Sequence, residues 1–259
     1  MVVLYEHPVS PYAQKVKIAL AEKGVAYEPR MPDLMGGTDA DFTAMNPRRE
    51  VPTLLDGDTA VFDSTVILEY LEERWPTPAL LPAGPAERAR VRMLEELCDT
   101  YYEAVNWGVF EIRFFKRATG ELADGLLARA AEQVAGANRH LERQLADRLW
   151  FNGAAFGWGD LSVVPHVYAA ALTGSPPAAG SRLASWFERV QQRPSVADTF
   201  AAAQAAMGGF EMIPQLVASG HFKREYRDHR LEWMLRSGGE AIVRDGMARG
   251  TIRFSAELA

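Results

Sequence analysis

An acidic residue and a serine stand together at the start of an amphipathic segment, and their chemistry suits the two charges of an α-amino acid group. Asp63 and Ser64 precede apolar residues that recur at helical spacing, and Ser64 is a favourable N-cap. Free amides at a helix start favour a carboxylate, and the Asp63 carboxylate suits an ammonium group. The alternative is that the pair only caps the helix, and both interpretations stay open.

A second candidate binding element, Val51-Pro52, lies directly upstream. Pro52 opens a short run of strand character, where a residue without an amide proton is tolerated. An X-Pro bond also adopts the cis form at modest cost. If this bond is cis, the backbone amide and carbonyl of Val51 point outward and are able to pair with an extended peptide ligand.

Strand and helix signals alternate through the segment that positions these residues. A β-hairpin is expected where Asp56-Gly57-Asp58-Thr59 separates two short strands, and a helix follows from Ser64. The earlier elements are a strand at 2–6, a helix at 11–23, a strand at 25–29 and a short helix at 39–45. This β-α-β-α-β-β-α order predicts an α/β domain with a small mixed sheet.

The rest of the chain has a different character. Four prolines fall within residues 75–85, which predicts an ordered linker. Apolar residues then recur at helical spacing in two long segments and in shorter ones near 160–173, 181–191 and 195–206, which predicts an all-α bundle. The expected units are a domain at 1–75, a linker at 76–86, a helical domain at 87–206 and a C-terminal extension at 207–259.

Composition excludes several classes of protein. The chain has 28 basic and 34 acidic residues, a net charge of −6, and no basic stripe that would indicate a nucleic-acid partner. Cys98 is the only cysteine, which excludes an internal disulfide and a cysteine-cluster metal site and fits a reducing compartment. No metal site and no secretory signal are expected. No membrane span is expected either, since the longest apolar stretch, near 161–172, is broken by Pro165 and His166.

The N-terminal order of elements resembles a thioredoxin-like domain, and with the helical remainder the chain resembles a cytosolic glutathione transferase from residue 1 to about 206. The motifs that carry the resemblance are Asn46-Pro47, Val51-Pro52-Thr53-Leu54 and Asp63-Ser64-Thr65-Val66-Ile67. Residues 156–162 and 186–195 resemble the family's second-domain helix start and closing helices. The family usually has Ser or Thr where Gly157 stands, but glycine is also a tolerable N-cap.

The resemblance implies glutathione as co-substrate and a catalytic role for Ser10. Ser10-Pro11-Tyr12-Ala13 stands where thioredoxin-like proteins carry Cys-x-x-Cys, so dithiol exchange by that motif is excluded. A hydroxyl that donates to the glutathione sulfur favours its thiolate. Tyr5 and Tyr12 are alternative donors, and Ser10 is preferred for its place at the strand–helix junction. His7 is expected to be structural.

The resemblance also implies the residues that hold glutathione. Val51 would pair with the tripeptide backbone, and Asp63 and Ser64 would hold its γ-glutamyl end. Upstream, the chain has Arg48-Arg49-Glu50 where related proteins often place Lys or Gln, and the Glu50 carboxylate is unfavourable beside the glycine carboxylate of glutathione. One of the two arginines is therefore expected to make that contact. The complete predicted set is Ser10, Arg48, Arg49, Glu50, Val51, Pro52, Asp63 and Ser64.

The electrophile pocket is expected between the domains. Its candidate residues are Tyr12, Tyr101, Tyr102, Trp107, Phe110 and Tyr226. The alternative is that aromatic residues at helical spacing form the bundle core. The extension, with aromatic and basic residues interleaved over 221–236, is expected either to dock on the helical domain or to cover the active site as a lid, with a basic wall for an anionic substrate.

The resemblance implies a cytoplasmic, homodimeric glutathione transferase that acts in detoxification. Its thiolate would attack a small, mostly apolar electrophile such as an epoxide, a halide or an aryl ether. A glutathione-dependent isomerase or β-etherase, which use the same thiolate, is the alternative within enzymes. A non-catalytic interaction protein that retains the fold is the alternative of another class.

Overall fold

The computed structural model describes residues 1–32, 40–221, 224–225 and 228–253. The first domain contains β1 (Val2–Tyr5), α1 (Pro11–Glu22), β2 (Tyr27–Arg30), α2 (Ala40–Met45), β3 (Thr53–Asp56), β4 (Thr59–Phe62) and α3 (Ser64–Arg74). Its sheet has the order β2-β1-β3-β4, with β1 parallel to β2 and antiparallel to β3. The predicted thioredoxin-like α/β domain is confirmed.

The register of the sheet brings three distant segments to one edge. Tyr5 of β1 lies opposite Thr53 of β3, and Thr53 lies opposite Phe62 of β4. The chain after Tyr5, the chain before Thr53 and the chain after Phe62 therefore leave the sheet at the same edge. Those segments contain Ser10, Val51 and Asp63 respectively, so strand pairing alone places the three predicted site elements together.

One buried lysine holds the proline-rich segment between the two domains. Lys23 Nζ donates to the carbonyl oxygens of Trp75 and Pro78, at 2.7 and 2.9 Å. It also pairs with the Glu72 carboxylate at 2.6 Å, and Glu72 accepts the backbone amide of Leu80 at 3.0 Å. The linker is thereby fixed to α1 and α3.

The remaining elements are almost all helical, which confirms the predicted bundle. They are α4 (Pro85–Leu97), a π-helical turn (Cys98–Tyr102), α5 (Glu103–Arg113), α6 (Gly120–Leu145), α7 (Trp158–Leu172), α8 (Arg182–Val190), α9 (Pro194–Ala206), a 3-10 turn (Met207–Met212), α10 (Ile213–Ala218), β5 (Arg224–Glu225), α11 (Asp228–Arg236), α12 (Glu240–Ala248) and β6 (Ile252–Arg253). The π turn connects α4 directly to α5, and β5 pairs with β6.

The start of α7 explains why a glycine occupies position 157. A Cβ at Gly157 would lie 2.2 Å from Asn152 Nδ2 and 2.3 Å from the carbonyl oxygen of Leu80. Asn152 Nδ2 donates to that carbonyl at 2.9 Å, and Asn152 Oδ1 accepts the amide of Gly159 at 3.4 Å. Asn152 therefore occupies the space of an N-cap side chain and supplies its acceptor, so glycine is required here and not merely tolerated.

The described part of the C-terminal extension packs on the helical domain. The Trp233 ring of α11 rests on the backbone of α5 at Gly108, where a Cβ would lie 2.2 Å from Trp233 Cζ3. Trp233 Nε1 donates to Gln133 Oε1 of α6 at 2.6 Å. Arg230 of α11 pairs with Glu103 at the start of α5, also at 2.6 Å. These contacts attach α11 to two helices of the bundle.

Three further features of the described residues are the lengths of their helices, their potential metal ligands and Cys98. None of the helices among them is both long and apolar enough to cross a bilayer. Nor do they include a group of three or more histidine, cysteine, aspartate or glutamate side chains placed to hold a metal ion. Cys98 is a buried free thiol, and burial raises its pKa well above the ordinary value, which disfavours the thiolate form.

Candidate active site

A cavity of about 430 Å³ lies between the two domains. The loop between β1 and α1 forms one side of it, and α5, α7 and residues after α9 form the other. Of the predicted residues, Ser10, Tyr12, Val51, Trp107 and Phe110 line this cavity. Its wall is mainly apolar and aromatic, which suits a small hydrophobic ligand.

Ser10 lies at the start of α1 with its side chain at the cavity wall. It is the N-cap of the helix, and its Oγ accepts the backbone amide of Ala13 at 3.3 Å. Because the oxygen is the acceptor in that bond, the hydroxyl proton remains available for a ligand. The amides of the first helical turn add partial positive charge at the same point. A thiolate near Ser10 Oγ would meet both a donor and this field.

The two tyrosines that compete with Ser10 have other contacts. The Tyr12 hydroxyl donates to the backbone carbonyl of Asp99 at 2.7 Å, so its ring faces the cavity while its proton is used elsewhere. Tyr5 is buried against Phe42, with ring centroids 5.3 Å apart, and its hydroxyl accepts from Arg30 at 3.4 Å. Tyr5 is therefore a residue of the domain core.

The sheet edge holds the two predicted binding elements side by side. The Val51-Pro52 bond is cis, and Val51 lines the cavity. Asp63, with φ 72°, is the N-cap of α3, and its Oδ1 accepts the amide of Thr65 at 3.1 Å. Ser64 was predicted to be the cap but is the first helical residue, because the chain turns at Asp63. Asp63 remains partly exposed, so its carboxylate is accessible to a ligand.

The arginine–glutamate segment beside Val51 forms a charged group of its own. Arg48 lies between two carboxylates, 3.1 Å from Glu50 and 3.7 Å from Asp63. Asn46 holds the segment, since its Nδ2 donates to the carbonyl of Glu50 at 2.8 Å and its Oδ1 accepts the amide of Arg48 at 2.9 Å. Arg48 thus offsets the negative charge of Glu50 next to Val51.

A buried ionic network ties α1 to the helical domain under the cavity. Lys15 Nζ lies 2.5 Å from both Glu95 and Asp99, and Asp99 Oδ1 lies 3.3 Å from His166 Nε2. Burial opposes the charge on Lys15, but Asp99 and Glu95 outweigh it and raise the Lys15 pKa. Burial likewise opposes the charge on Asp99, yet Lys15 and His166 lower the Asp99 pKa. These pairs fix the position of α1, and hence of Ser10, against α4, the π turn and α7.

Two predicted pocket residues do not line the cavity, and a third cannot be assigned. Tyr102 is buried in the bundle core, where its hydroxyl donates to Asn138 at 2.7 Å. Tyr101 is largely exposed and lines a separate, more polar depression beside Trp233. Both residues sit in the π turn, on faces directed away from this cavity. Tyr226 lies outside the described residues.

Several residues of the cavity wall were not among the predicted site residues. They include His7, Glu103, Asn106, His166, Phe210 and Arg230. Arg230 belongs to the predicted basic wall, but it pairs with Glu103 and lies over the Trp107 ring, 5.2 Å from its centroid. At Arg230, the part of that wall that lines the cavity, the positive charge is therefore compensated by an ion pair.

Similarity to known proteins agrees with this architecture. The family model for the glutathione S-transferase N-terminal domain matches residues 4–79, and that for the C-terminal domain matches residues 124–189. A crystal structure of a glutathione S-transferase from Rhodospirillum rubrum F11 is 31% identical, with a TM-score of 0.69, and the match covers 77% of this chain and 91% of that one.

Two further proteins are similar over different lengths. The structure of rice GST1 in complex with glutathione is 30% identical, with a TM-score of 0.67, over 83% of this chain and 97% of that one. A stringent starvation protein A homolog of Coxiella burnetii is 44% identical, over 35% of this chain and 43% of its own. The whole-length matches and both family models lead to one conclusion: the chain belongs to the glutathione S-transferase family.

Proposed function

We propose that the protein is a glutathione transferase in which Ser10 stabilises the glutathione thiolate for attack on a mostly apolar electrophile. The observation that carries the proposal is the position of the Ser10 hydroxyl. It lies on the cavity wall at a helix start, and its oxygen already accepts an amide, so its proton is free to be donated. The rice relative solved with glutathione supports the choice of co-substrate.

Glutathione binds along the sheet edge with its sulfur toward Ser10. The backbone of Val51 pairs with the tripeptide, as an added strand would. The Asp63 carboxylate takes the γ-glutamyl ammonium, and Ser64 with the first amides of α3 takes the α-carboxylate. Arg48 or Arg49 takes the glycine carboxylate. The register that joins Ser10, Val51 and Asp63 supports this placement.

The residues of the site then promote the reaction in two ways: they stabilise the thiolate and they exclude water from it. A thiol with a pKa of about 8.5 is mostly protonated at neutral pH, and each unit of lowering requires about 1.4 kcal/mol. The Ser10 hydroxyl and the helix amides supply that stabilisation. The sulfur forms a bond to the electrophilic carbon while the leaving group departs with the electron pair. The apolar wall excludes water from the thiolate and strengthens the hydrogen bond to it.

Exchange of Ser10 tests this assignment. We expect Ser10→Ala to lower kcat/KM for conjugation about 10²- to 10³-fold, the usual cost of removing one preorganised donor. Ser10→Thr, which keeps a hydroxyl and the cap, should retain most of the activity. The thiolate absorbance of bound glutathione, titrated against pH, should show a higher thiol pKa in the alanine variant. Ser185→Ala, at an exposed position on α8, is the matched control.

The same measurements distinguish the alternatives. Full turnover by Ser10→Ala, or an unchanged thiol pKa, would overturn the catalytic assignment. Wild-type protein that binds glutathione but turns over no electrophile in a panel of epoxides, halides and aryl ethers would favour the interaction protein. The match to the stringent starvation protein A homolog, at 44% identity over 35% of this chain, is the observation that supports this second candidate. Product analysis separates conjugation from isomerisation and ether cleavage.

We also propose that the protein is a cytoplasmic homodimer that acts in detoxification. This proposal rests on the family to which the chain belongs. Sedimentation velocity at micromolar concentration tests the dimer, and a monomer would contradict it.

A further inference from the structure

His7 lies in the cavity without a role in the function proposed above. It precedes Ser10 by three residues in the loop between β1 and α1, lines the same cavity and is partly exposed. Its carbonyl oxygen accepts the backbone amide of Ser10 at 2.9 Å. The imidazole is therefore held in a fixed relation to the hydroxyl that is proposed to face the sulfur.

The local backbone determines which nitrogen of His7 carries the proton. The amide of Val9 donates to His7 Nδ1 at 3.3 Å. A backbone amide is only a donor, so Nδ1 is unprotonated and the neutral ring carries its proton on Nε2. Burial lowers the pKa of His7 and so favours this neutral form. Among the hydrogen bonds of the described residues, His7 uses Nδ1 and its backbone, which leaves Nε2–H available.

An aromatic cluster from the helical part of the chain orients the same ring. The cluster consists of Phe110, Phe114, Phe115 and Phe210. Phe210 stacks on His7 with ring centroids 6.3 Å apart and planes 18° from parallel. It also meets the other three phenylalanines edge-on, at 5.9 to 6.4 Å. His7 thus lies between the start of α1 and the aromatic wall that receives the electrophile.

We propose that His7 Nε2–H donates a hydrogen bond to the electrophile, and that the site therefore favours aromatic substrates whose reacting carbon carries oxygen over those that release a halide. This inference rests on the proposed transferase function. It identifies His7 as a second catalytic donor, on the electrophile side of the reacting sulfur. The substrate ring packs on Phe110, Phe115 and Phe210, the members of the aromatic cluster that line the cavity.

The chemistry of an aryl epoxide illustrates the role. The sulfur–carbon bond forms as the carbon–oxygen bond breaks, and the electron pair stays on the oxygen. The Nε2–H group donates to that oxygen as negative charge develops, which is where a preorganised donor has its largest effect. Water then supplies the proton that yields the alcohol, and His7 keeps its own proton. A departing halide is a weak acceptor and gains little from the same donor.

Two substitutions separate the donor from the ring. His7→Phe keeps a ring to stack on Phe210 but removes the donor, and His7→Gln restores an N–H near the position of Nε2. His140→Phe, on α6 and away from the cavity, is the matched control. Turnover is measured with glutathione and either styrene oxide or benzyl chloride, which share a phenyl ring and differ in the leaving atom.

We expect His7→Phe to lower kcat/KM for styrene oxide about 10²-fold, the loss typical of one such donor, and His7→Gln to recover at least about a tenth of the wild-type value. Turnover of benzyl chloride should change less than about threefold in either variant, because the halide does not use the donor. Equal losses with both substrates, or no loss with styrene oxide, would overturn the proposal.

Binding and spectroscopy decide the question if the wild type conjugates neither substrate, a result that would count against the transferase function itself. Long-range ¹H–¹⁵N spectra should show the His7 proton on Nε2. The alcohol product of styrene oxide and glutathione should lose affinity in His7→Phe, whereas S-benzylglutathione, which lacks the hydroxyl, should not. A proton on Nδ1, or equal changes for the two ligands, would overturn the inference about His7.

Discussion

The two halves of the candidate site are built by different means. The half assigned to glutathione consists of short segments at one sheet edge, where local bonds set each group: Ser10 accepts from Ala13, and Asp63 accepts from Thr65. The half assigned to the electrophile joins α5 and α7 to residues of the extension, and its Glu103–Arg230 pair spans 127 residues of chain.

This difference implies that the two halves respond to different substitutions. A change at the sheet edge alters one bond near the ligand and leaves the helical packing intact. A change between α5 and α11 moves a whole helix and with it part of the electrophile wall. Effects on glutathione affinity and on electrophile recognition should therefore be nearly independent, as expected for sites without shared partners.

Asp63→Asn is expected to show the largest difference between its effect on the glutathione half and its effect on the electrophile half. Asparagine is as favourable an N-cap as aspartate and also tolerates a positive φ, so the substitution keeps the fold and removes the charge. We expect the Kd of glutathione to rise about ten- to a hundredfold, the range for a lost hydrogen bond to a charged group. Calorimetric titration measures this effect, and the KM of the electrophile should stay constant at saturating glutathione.

A ligand control makes the Asp63 test specific. Glutathione that lacks its α-amino group should bind wild type and Asp63→Asn equally, because it has no ammonium to lose. If the substitution lowers the affinity for both ligands to the same extent, Asp63 serves only as the cap of α3, and the two halves are not divided as proposed.

A smaller effect, on the other half, is expected from Gly108→Ala. Alanine normally stabilises a helix interior by about 1 kcal/mol relative to glycine. Here its Cβ would lie within 2.2 Å of the Trp233 ring, so we expect a net loss of about 1 to 3 kcal/mol and a displaced α11. The electrophile KM should rise several-fold, whereas glutathione affinity should not change. Chemical denaturation and steady-state kinetics measure the two effects.

Gly125→Ala on α6 is the matched control for Gly108→Ala. Apart from neighbouring helix backbone, its Cβ would meet only the Arg129 side chain, at ordinary contact distances of 3.8 Å and more. This variant should gain stability from helix propensity. Should Gly108→Ala also gain stability and keep its KM, the contact of α11 with α5 has no part in the electrophile half.

The smallest effects are expected from Arg48→Ala and Arg49→Ala. The Arg48 side chain is 46% exposed and already pairs with Glu50, so its contact with a carboxylate is largely screened. We expect the Kd of glutathione to rise about twofold to fivefold in one of the two variants, since exposed ion pairs contribute up to about 1 kcal/mol. Isothermal titration at low and high salt checks this, and no loss in either variant would refute the arginine contact.

The sequence was sufficient for the order of elements and for the sheet-edge segments. Pro52, the Asp56–Thr59 turn and the cap before α3 are signals between neighbouring residues, so strand pairing could be inferred from them. Position 157 shows the limit of such signals. Glycine there was expected to be a tolerated departure, but only the packing of Asn152 against Leu80 shows that a side chain has no room.

By itself the sequence determined that Ser10 precedes α1, Val51 precedes β3 and Asp63 precedes α3, because caps and turns depend on adjacent residues. The pairing of β1 with β3, which brings these segments together, joins Tyr5 to Thr53 and belongs to the tertiary structure. Only the tertiary structure decided which aromatic residues face the cavity. Tyr102 and Trp107 share one helical segment, yet the first fills the core and the second lines the cavity. Helical periodicity identifies apolar positions but does not tell whether protein or ligand will cover them. The π turn also changes the helix face on which those positions lie.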